Sequence, residues 1–324
     1  MNRLAVVALG LGLLGPAAMA QEKISLRLDW AAGGWQAPIL LAHAKGLYKS
    51  AGLNVEINEG KGSLNTLQLV GRGNDQIGHV DGSSVLRGAA NGVPVTAVAV
   101  LYRKNLMSIA VREDAKVNSP QELAGKSLTT TAGDAQSAML PAYLAHYKLD
   151  GGKVKVNAVD GGAKYRMVIA GNADGVATFG GLGVPLMQGM KGGAEVRYKS
   201  FDFADAGINL PGFCLIVNNS FLEKNGEQVR KFVLATAEAW KSLQANPEQA
   251  VDEIVQGNEL LRARRSEFVE TVRNLNAYVH TARSNGKPFG WMAPEDWRDA
   301  EQTATRVLDL KFTGKPYYTN RFVE

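Results

Sequence analysis

One stretch of this chain resembles a second stretch further on, and that internal repeat constrains the fold more than any other feature of the sequence. Residues 53–85 align without a gap to residues 152–184, at an offset of 99 positions. The matched pairs include Val55 with Val154, Gly62 with Gly161, Asp75 with Asp174, and Ile77 with Val176. Each copy has the pattern of a strand, a glycine turn, a helix, an acidic turn and a strand. Two βαβ units can resemble each other by chance, and the alternative is two lobes built on one plan.

The segment just before the first copy predicts the strand, loop and helix that complete a βαβ unit. Ile24, Leu26 and Leu28 alternate with polar residues, which is the period of a half-buried strand. A loop with two tryptophans follows, and Pro38 stands where the first turn of a helix tolerates proline. Ligands of open α/β sheets bind beyond the carboxyl ends of the strands. We therefore expect one wall of a binding site from the loop residues Asp29, Trp30, Trp35 and Gln36.

The two tryptophans of this loop offer flat apolar surfaces that suit stacking on a ring. Asp29 and Gln36 lie close in sequence and supply polar groups that can orient a ligand. The other interpretation is that one tryptophan is a hydrophobic plug beneath the loop.

Equivalent loops of two such lobes should face each other across a cleft. Residues 60–63 would face 160–162, and residues 81–84 would face 180–183. Glycine lets a ligand approach the backbone there, and the free N–H groups of a helix start attract polar or negative atoms. The loop 131–136 should lie at the same sheet edge, although helix capping explains its polar residues equally well. The further candidate contacts are Gly62, Ser63, Asp81, Ser83, Ser84, Thr131, Asp134, Gln136, Gly161 and Gly180.

The first twenty residues, Met1–Ala20, have the pattern of a cleavable secretory signal peptide. Arg3 precedes an apolar run from Leu4 to Leu14, and an A-x-A pattern precedes Gln21. A membrane anchor is the alternative, but the run has roughly half of the ~20 residues that a spanning helix needs. No cysteine lies near the cleavage point, so we expect a periplasmic protein without a lipid anchor.

Composition excludes several classes of function. The single cysteine, Cys214, rules out an intramolecular disulfide and a cysteine-ligated metal cluster. The net charge of +5 comes from interspersed residues without a basic block, so we expect no nucleic-acid partner. The four histidines lack metal-ligand spacing, and neither a nucleophile elbow nor a phosphate-binding loop is present. From these absences the sequence predicts a binding protein that is not an enzyme and uses no cofactor or metal.

Several short motifs resemble the NMT1/THI5-like family of solute-binding proteins. They are Leu28-Asp29-Trp30, residues 44–48, 52–55, 92–95, 119–126, 201–205 and 246–250, and Tyr318-Thr319-Asn320. The resemblance implies an α/β chain with the two-lobe type II periplasmic-binding-protein fold and a hinged interlobe cleft. It also implies that the chain leaves the first lobe and later returns to it. The expected division is lobe I at 21–104 and 211–324 and lobe II at 105–210.

The same resemblance implies a substrate-binding component of an ABC importer, with a membrane permease as partner. We expect a monomer that closes on a small organic solute, either a heteroaromatic compound or a small organic anion. Pyrimidine-binding members resemble LDWTPNxxHAG, whereas residues 31–37 read AAGGWQA and match neither the asparagine nor the histidine. Two alternatives stay open: an enzyme like the pyrimidine synthases of this fold, which use a histidine and a cysteine-rich motif, and a periplasmic sensor partner.

Overall fold

The computed structural model describes residues 23–150 and 152–324. The expected signal peptide, Met1–Ala20, lies outside the described residues. Within those residues, no helix is long and apolar enough to cross a membrane.

Ten strands are present in the described part of the chain. They are β1 (Lys23–Arg27), β2 (Asn54–Asn58), β3 (Ile77–Asp81), β4 (Val95–Val100), β5 (Met107–Arg112), β6 (Ser127–Thr130), β7 (Lys155–Ala158), β8 (Gly175–Phe179), β9 (Tyr198–Asp202) and β10 (Phe213–Asn218).

The α-helices fall between the strands in the first two thirds of the chain and follow one another at its end. They are α1 (Ala37–Ala44), α2 (Leu47–Ser50), α3 (Ser63–Gly71), α4 (Gly82–Ala90), α5 (Ala135–His146), α6 (Gly161–Ile169), α7 (Gly183–Gly189), α8 (Asn219–Lys224), α9 (Gly226–Ala245), α10 (Pro247–Val255), α11 (Glu259–Arg262), α12 (Arg265–Val279) and α13 (Pro294–Leu308). Short 3₁₀ turns lie at Gly34–Gln36, Glu113–Ala115, Pro120–Leu123, Phe203–Ala206 and Ala282–Ser284.

The strands form two five-stranded sheets of the same design. Sheet A has the order β2-β1-β3-β10-β4, and sheet B has the order β7-β6-β8-β5-β9. One strand in each sheet runs against its neighbours: β10 pairs antiparallel with β3 and β4, and β5 with β8 and β9. Strand β10, with the sequence FCLIVN, is buried along its whole length because helices cover both faces of the sheet. We call sheet A with its helices lobe A, and sheet B with α5–α7 lobe B.

The two copies of the repeat occupy equivalent places in the two lobes. Elements β2, α3, β3 and α4 of lobe A correspond in order to β7, α6, β8 and α7 of lobe B. The matched acidic turns of the two lobes also make equivalent hydrogen bonds. Asp75 accepts a hydrogen bond from Ser25 Oγ at 2.5 Å, and Asp174 accepts from Ser127 N at 2.7 Å and from Ser127 Oγ at 2.8 Å. In both lobes the turn is thereby pinned to the adjacent parallel strand.

The chain crosses between the sheets twice. It leaves sheet A after β4, builds all five strands of sheet B, and returns with β10. The crossings are therefore the segments 101–106 and 203–212, and the residue boundaries expected at 104/105 and 210/211 stay a prediction. The carboxyl ends of the parallel strands in both sheets meet between the lobes, which is where the chain forms its cleft.

Helix α12 packs against the loop that carries Trp30 and Trp35, which we call the tryptophan loop. A Cβ built on Gly34 would lie 2.6 Å from Thr271 Cβ and 3.3 Å from Phe268 Cα, so the 3₁₀ turn is packed directly on this helix. Arg264, just before the helix, donates to Ala32 O at 2.8 Å and forms a two-pronged ion pair with the buried Glu267. The loop is thus fixed by contacts to residues more than two hundred positions away.

Candidate ligand-binding cleft

A cleft between the two lobes collects many of the residues expected at the site. The space between the lobes has a volume of about 450 Å³, part of it open to solvent. Lobe A contributes Asp29, Trp30, Trp35, Gly62 and Ser63, and lobe B contributes Asp134, Ala135, Gln136, Lys164, Tyr165, Thr178, Phe179, Leu182, Gly183 and Leu186.

Asp29 is the polar centre of the lobe A wall. Its Oδ1 accepts from Gln36 Nε2 at 2.8 Å, from Trp35 Nε1 at 3.1 Å, and pairs with His79 Nδ1 at 2.8 Å. Its Oδ2 accepts the shared Trp35 N–H at 3.2 Å, and no second donor to it lies among the described residues. The two oxygens of a carboxylate together offer about four acceptor sites, so three donors leave Asp29 with capacity for one more. His79 was missed at the sequence level, because only the pairing of β1 with β3 brings it beside Asp29.

Trp35 and Gln36 stabilise the tryptophan loop through buried hydrogen bonds. Gln36 is fully buried, with its amide shared between Asp29 and the backbone N–H of Gly33, and it does not line the cleft. Trp35 is 6% exposed and its ring lies against Gly33, while its carbonyl accepts from Tyr102 OH at 2.9 Å. The Trp35 ring therefore forms part of the floor, and ligand contact by Gln36 stays a prediction.

The Trp30 ring reaches across to lobe B. It lies against Gly161 at the start of α6, where an added Cβ would overlap the indole. Nearby, the backbones of the two lobes also touch, because a Cβ on Gly62 would lie 2.6 Å from Gly133 O. Gly62 has φ +114°, a conformation that favours glycine in any case. These contacts show that the lobes are closed on each other in this structure.

A buried ion pair dominates the lobe B wall. Lys164 Nζ donates to Asp134 Oδ2 at 2.8 Å and to Ala177 O at 3.2 Å, and Lys164 is 3% exposed. Burial lowers the pKa of Lys164, but the neighbouring Tyr165 and Asp134 outweigh it, so the pKa is raised and the amine stays charged. The ammonium is committed to Asp134 and is not a free charge for an anionic ligand.

Lys164 is not among the residues that the sequence analysis expected at the site, although its position in the sequence indicates it. It precedes Tyr165 and lies four positions before Val168, on the face of α6 that packs toward sheet B. A lysine on the apolar face of a helix requires a buried partner, which marks it as a candidate site residue. Phe179 and Leu182 carried no such signal, since apolar residues at a strand end are ordinary core.

Gln136 lies at the cleft on the lobe B side. The residue is 2% exposed and belongs to the lining of the cleft. Asp134, just before it, caps α5 by accepting from Ser137 N at 2.7 Å. An amide can both donate and accept hydrogen bonds, and ligand contact by Gln136 stays a prediction.

Other predicted contacts lie away from the cleft lining. Asp81 caps α4 and accepts from the backbone N–H and hydroxyl groups of Ser83 and Ser84. These three side chains thus form hydrogen bonds with one another. Thr131 donates its N–H to Asp134, and its hydroxyl has no partner within the described chain. Gly180 donates to Leu106 O where sheet B ends. Ligand contact by these five residues and by Gly161 stays a prediction.

The described residues contain no cluster of three or more His, Cys, Asp or Glu that could hold a metal ion. Cys214 is fully buried in β10, and burial, followed by the nearby Asp81 charge, raises the pKa of its thiol well above the ordinary value. A thiol in that setting is a poor nucleophile.

The chain belongs to the NMT1/THI5-like family, whose model matches residues 36–250. The fold is the two-lobe α/β fold of periplasmic binding proteins, as the sequence predicted. The alkanesulfonate-binding protein SsuA from Xanthomonas axonopodis pv. citri, solved bound to MOPS, superimposes with a TM-score of 0.70. That match covers 93% of this chain and 99% of the other at 14% identity, so it bears on the fold alone.

Two curated relatives have different kinds of name. A protein from Candida albicans, named 4-amino-5-hydroxymethyl-2-methylpyrimidine phosphate synthase, is 25% identical over 319 residues, or 94% of this chain and 89% of its own. The formylaminopyrimidine-binding protein of Halalkalibacterium halodurans is 21% identical over 283 residues, or 86% of this chain and 84% of its own. One is named for a synthesis and the other for binding.

The expectation that this chain is not an enzyme is wrong on this comparison. It rested on missing motifs, whereas a relative aligned over nearly the whole chain is named a synthase. Active sites are recognised by geometry and roles, so the absence of a short motif does not exclude chemistry.

Proposed function

We propose that this protein captures a small, flat organic solute between its lobes and delivers it to an ABC permease from the periplasm. The observation that supports this most directly is the composition of the cleft, whose aromatic walls come from opposite lobes. Trp30 and Trp35 belong to lobe A, and Tyr165 and Phe179 belong to lobe B. A ligand held by both walls favours the closed form over the open one.

The charges around the cleft favour a ring with N–H donors over a small organic anion. Two carboxylates, Asp29 and Asp134, and one ammonium, that of Lys164, line the cleft, and the ammonium is paired with Asp134. Asp29 Oδ2 can accept from a ligand donor, and the amide of Gln136 can both donate and accept. An oxyanion would meet the Asp29 carboxylate without a free cation to offset the repulsion.

A paired binding experiment tests this proposal. Calorimetry with an amino-substituted heteroaromatic ring, the same ring without its amino group, and an alkanesulfonate should show affinity in that order. Replacing Trp30 or Phe179 by alanine should weaken the amino-substituted ring by roughly tenfold or more, because a buried aromatic contact contributes about 1–3 kcal/mol. Leu234→Ala, at an exposed position outside the cleft, is the matched control.

The outcomes separate the ligand classes. Tightest binding of the sulfonate would contradict the ring as ligand. If both lobe variants bind every compound as well as the wild type does, the cleft is not the site. Mass spectrometry of the protein purified under native conditions would identify a copurifying solute independently.

The curated synthase relative supports a second candidate function, chemistry on a bound pyrimidine. The structural feature that favours it is the Asp29–His79 pair beside the cleft, with His79 Nε2 unpartnered among the described residues. Incubation with a ligand found by calorimetry, followed by mass spectrometry of the products, tests it. Turnover that His79→Gln abolishes while binding persists would support chemistry, and unchanged turnover in that variant would remove His79 from it.

A further inference from the structure

The Trp30 indole makes two contacts with residues of lobe B. A Cβ built on Gly161 would overlap Cζ2 and Cη2 of the ring, so only a hydrogen at this position leaves room for the indole. The Lys164 ammonium, further along the same helix, lies 5.7 Å from the centre of the ring. A cation at this distance is attracted to the face of an indole.

Nothing in its own backbone requires a glycine at position 161. Its φ lies outside the left-handed region, and it is the first residue of a nine-residue helix, where alanine has the higher helix propensity. The neighbouring Gly162 shares the ordinary φ and the helical position. A Cβ on Gly162 would meet only the movable end of the Arg166 side chain, at 3.0 Å. What distinguishes Gly161 is therefore the ring of the opposite lobe.

We propose that Gly161 is a positioning residue that seats Trp30 across the cleft and so sets how far the two lobes close, with Lys164 as the cation that faces the seated ring. This proposal rests on the proposed function only in requiring that the lobes separate to admit a solute. These contacts between the lobes exist only when the lobes are closed, so they stabilise the closed state relative to the open one. A methyl group on residue 161 blocks the seat and shifts that population toward the open state.

Small-angle X-ray scattering of the ligand-free protein tests the proposal. We expect Gly161→Ala to raise the radius of gyration, and Gly162→Ala to leave it at the wild-type value. In a Trp30→Ala background, Gly161→Ala should change nothing, because the ring that it obstructs is gone. A similar urea midpoint for the two alanine variants shows that any expansion is not a loss of folding.

Two results would overturn the proposal: scattering of Gly161→Ala identical to that of the wild type, or the same expansion in the Trp30→Ala background. The second would mean that residue 161 acts on lobe B itself. Because no ligand is used, a failure to find a solute would count against the proposed function and leave this result unchanged.

Discussion

At the scale of single residues, Asp29 is identified by its position in the sequence, and its surroundings in the fold give it a second role. Its place at the end of a predicted strand was enough to single it out. Its three donors, Trp35, Gln36 and His79, give it a structural task as well, because they depend on it for their own hydrogen bonds. One side chain thus supports the loop and lines the cleft.

Replacing Asp29 by asparagine should lower the free energy of unfolding by about 1–3 kcal/mol, since one acceptor oxygen is exchanged for an amide that confronts buried donors. Urea unfolding followed by circular dichroism measures the change. Asp150→Asn, at an exposed position, is the control and should stay within about 0.5 kcal/mol of the wild type. An Asp29 variant as stable as this control would mean that the donors find other partners.

At the scale of secondary-structure elements, α6 contributes Lys164 and Tyr165 to the lobe B wall of the cleft. Its first residue, Gly161, meets Trp30, and its fourth, Lys164, is buried between Asp134 and two aromatic rings. The other end of the ion pair caps α5. The pair therefore joins the starts of two helices on one wall of the cleft.

Lys164→Met should destabilise the protein by about 3–5 kcal/mol, because it leaves the buried Asp134 carboxylate without its cation. Urea unfolding at neutral pH measures this loss. The control is Lys153→Met, whose lysine is exposed and donates only to Lys148 O. Equal effects of the two substitutions would show that the buried pair contributes nothing.

The same pair predicts a dependence on alkaline pH. The pKa of Lys164 is raised in the folded protein, so its stabilisation is complete below the unfolded value near 10.5 and is lost as the pH rises through the folded value. The wild type should therefore lose stability more steeply than Lys164→Met as the pH rises above about 10.5. Parallel curves in urea titrations at several pH values would contradict this.

At the scale of the whole molecule, the first crossing between the lobes is anchored on one side. Arg103 donates to the carbonyls of Val279, Pro288 and Trp291 at 2.5, 2.9 and 2.8 Å, all in the part of the chain that follows β10. Burial lowers the pKa of Arg103 to about 10, against the opposing effect of Asp296. Asn105 then bonds Ile208 O of the second crossing at 2.5 Å. The two crossings are thus linked just beyond the anchor.

Arg103→Met should cost about 3 kcal/mol of unfolding free energy, because three buried carbonyls lose a charged donor. Its neighbour Lys104 is exposed, so Lys104→Met at the adjacent position is a matched control with little expected effect. Chemical denaturation compares the two. Equal stability of the two variants would show that water replaces the guanidinium at no cost.

The sequence carried much of the fold because the fold depends on local patterns. Alternating Ile24, Leu26 and Leu28 predicted β1, and the repeat predicted matching elements in two lobes. The capping role of Asp81 was less accessible, because the same serine- and glycine-rich segment suits either a ligand or a helix start. Only the observed hydrogen bonds distinguish the two uses.

The sequence by itself determined the two-lobe plan, the family and the loop that carries Asp29, Trp30 and Trp35. Those features follow from residue patterns along the chain, which are present before any tertiary contact forms. Only the tertiary structure decided that His79 forms a hydrogen bond with Asp29, that Lys164 pairs with Asp134, and that Trp30 packs on Gly161. Each of these is a contact between residues 30 to 131 positions apart. Such contacts exist only after strands pair and lobes close, so no local pattern encodes them.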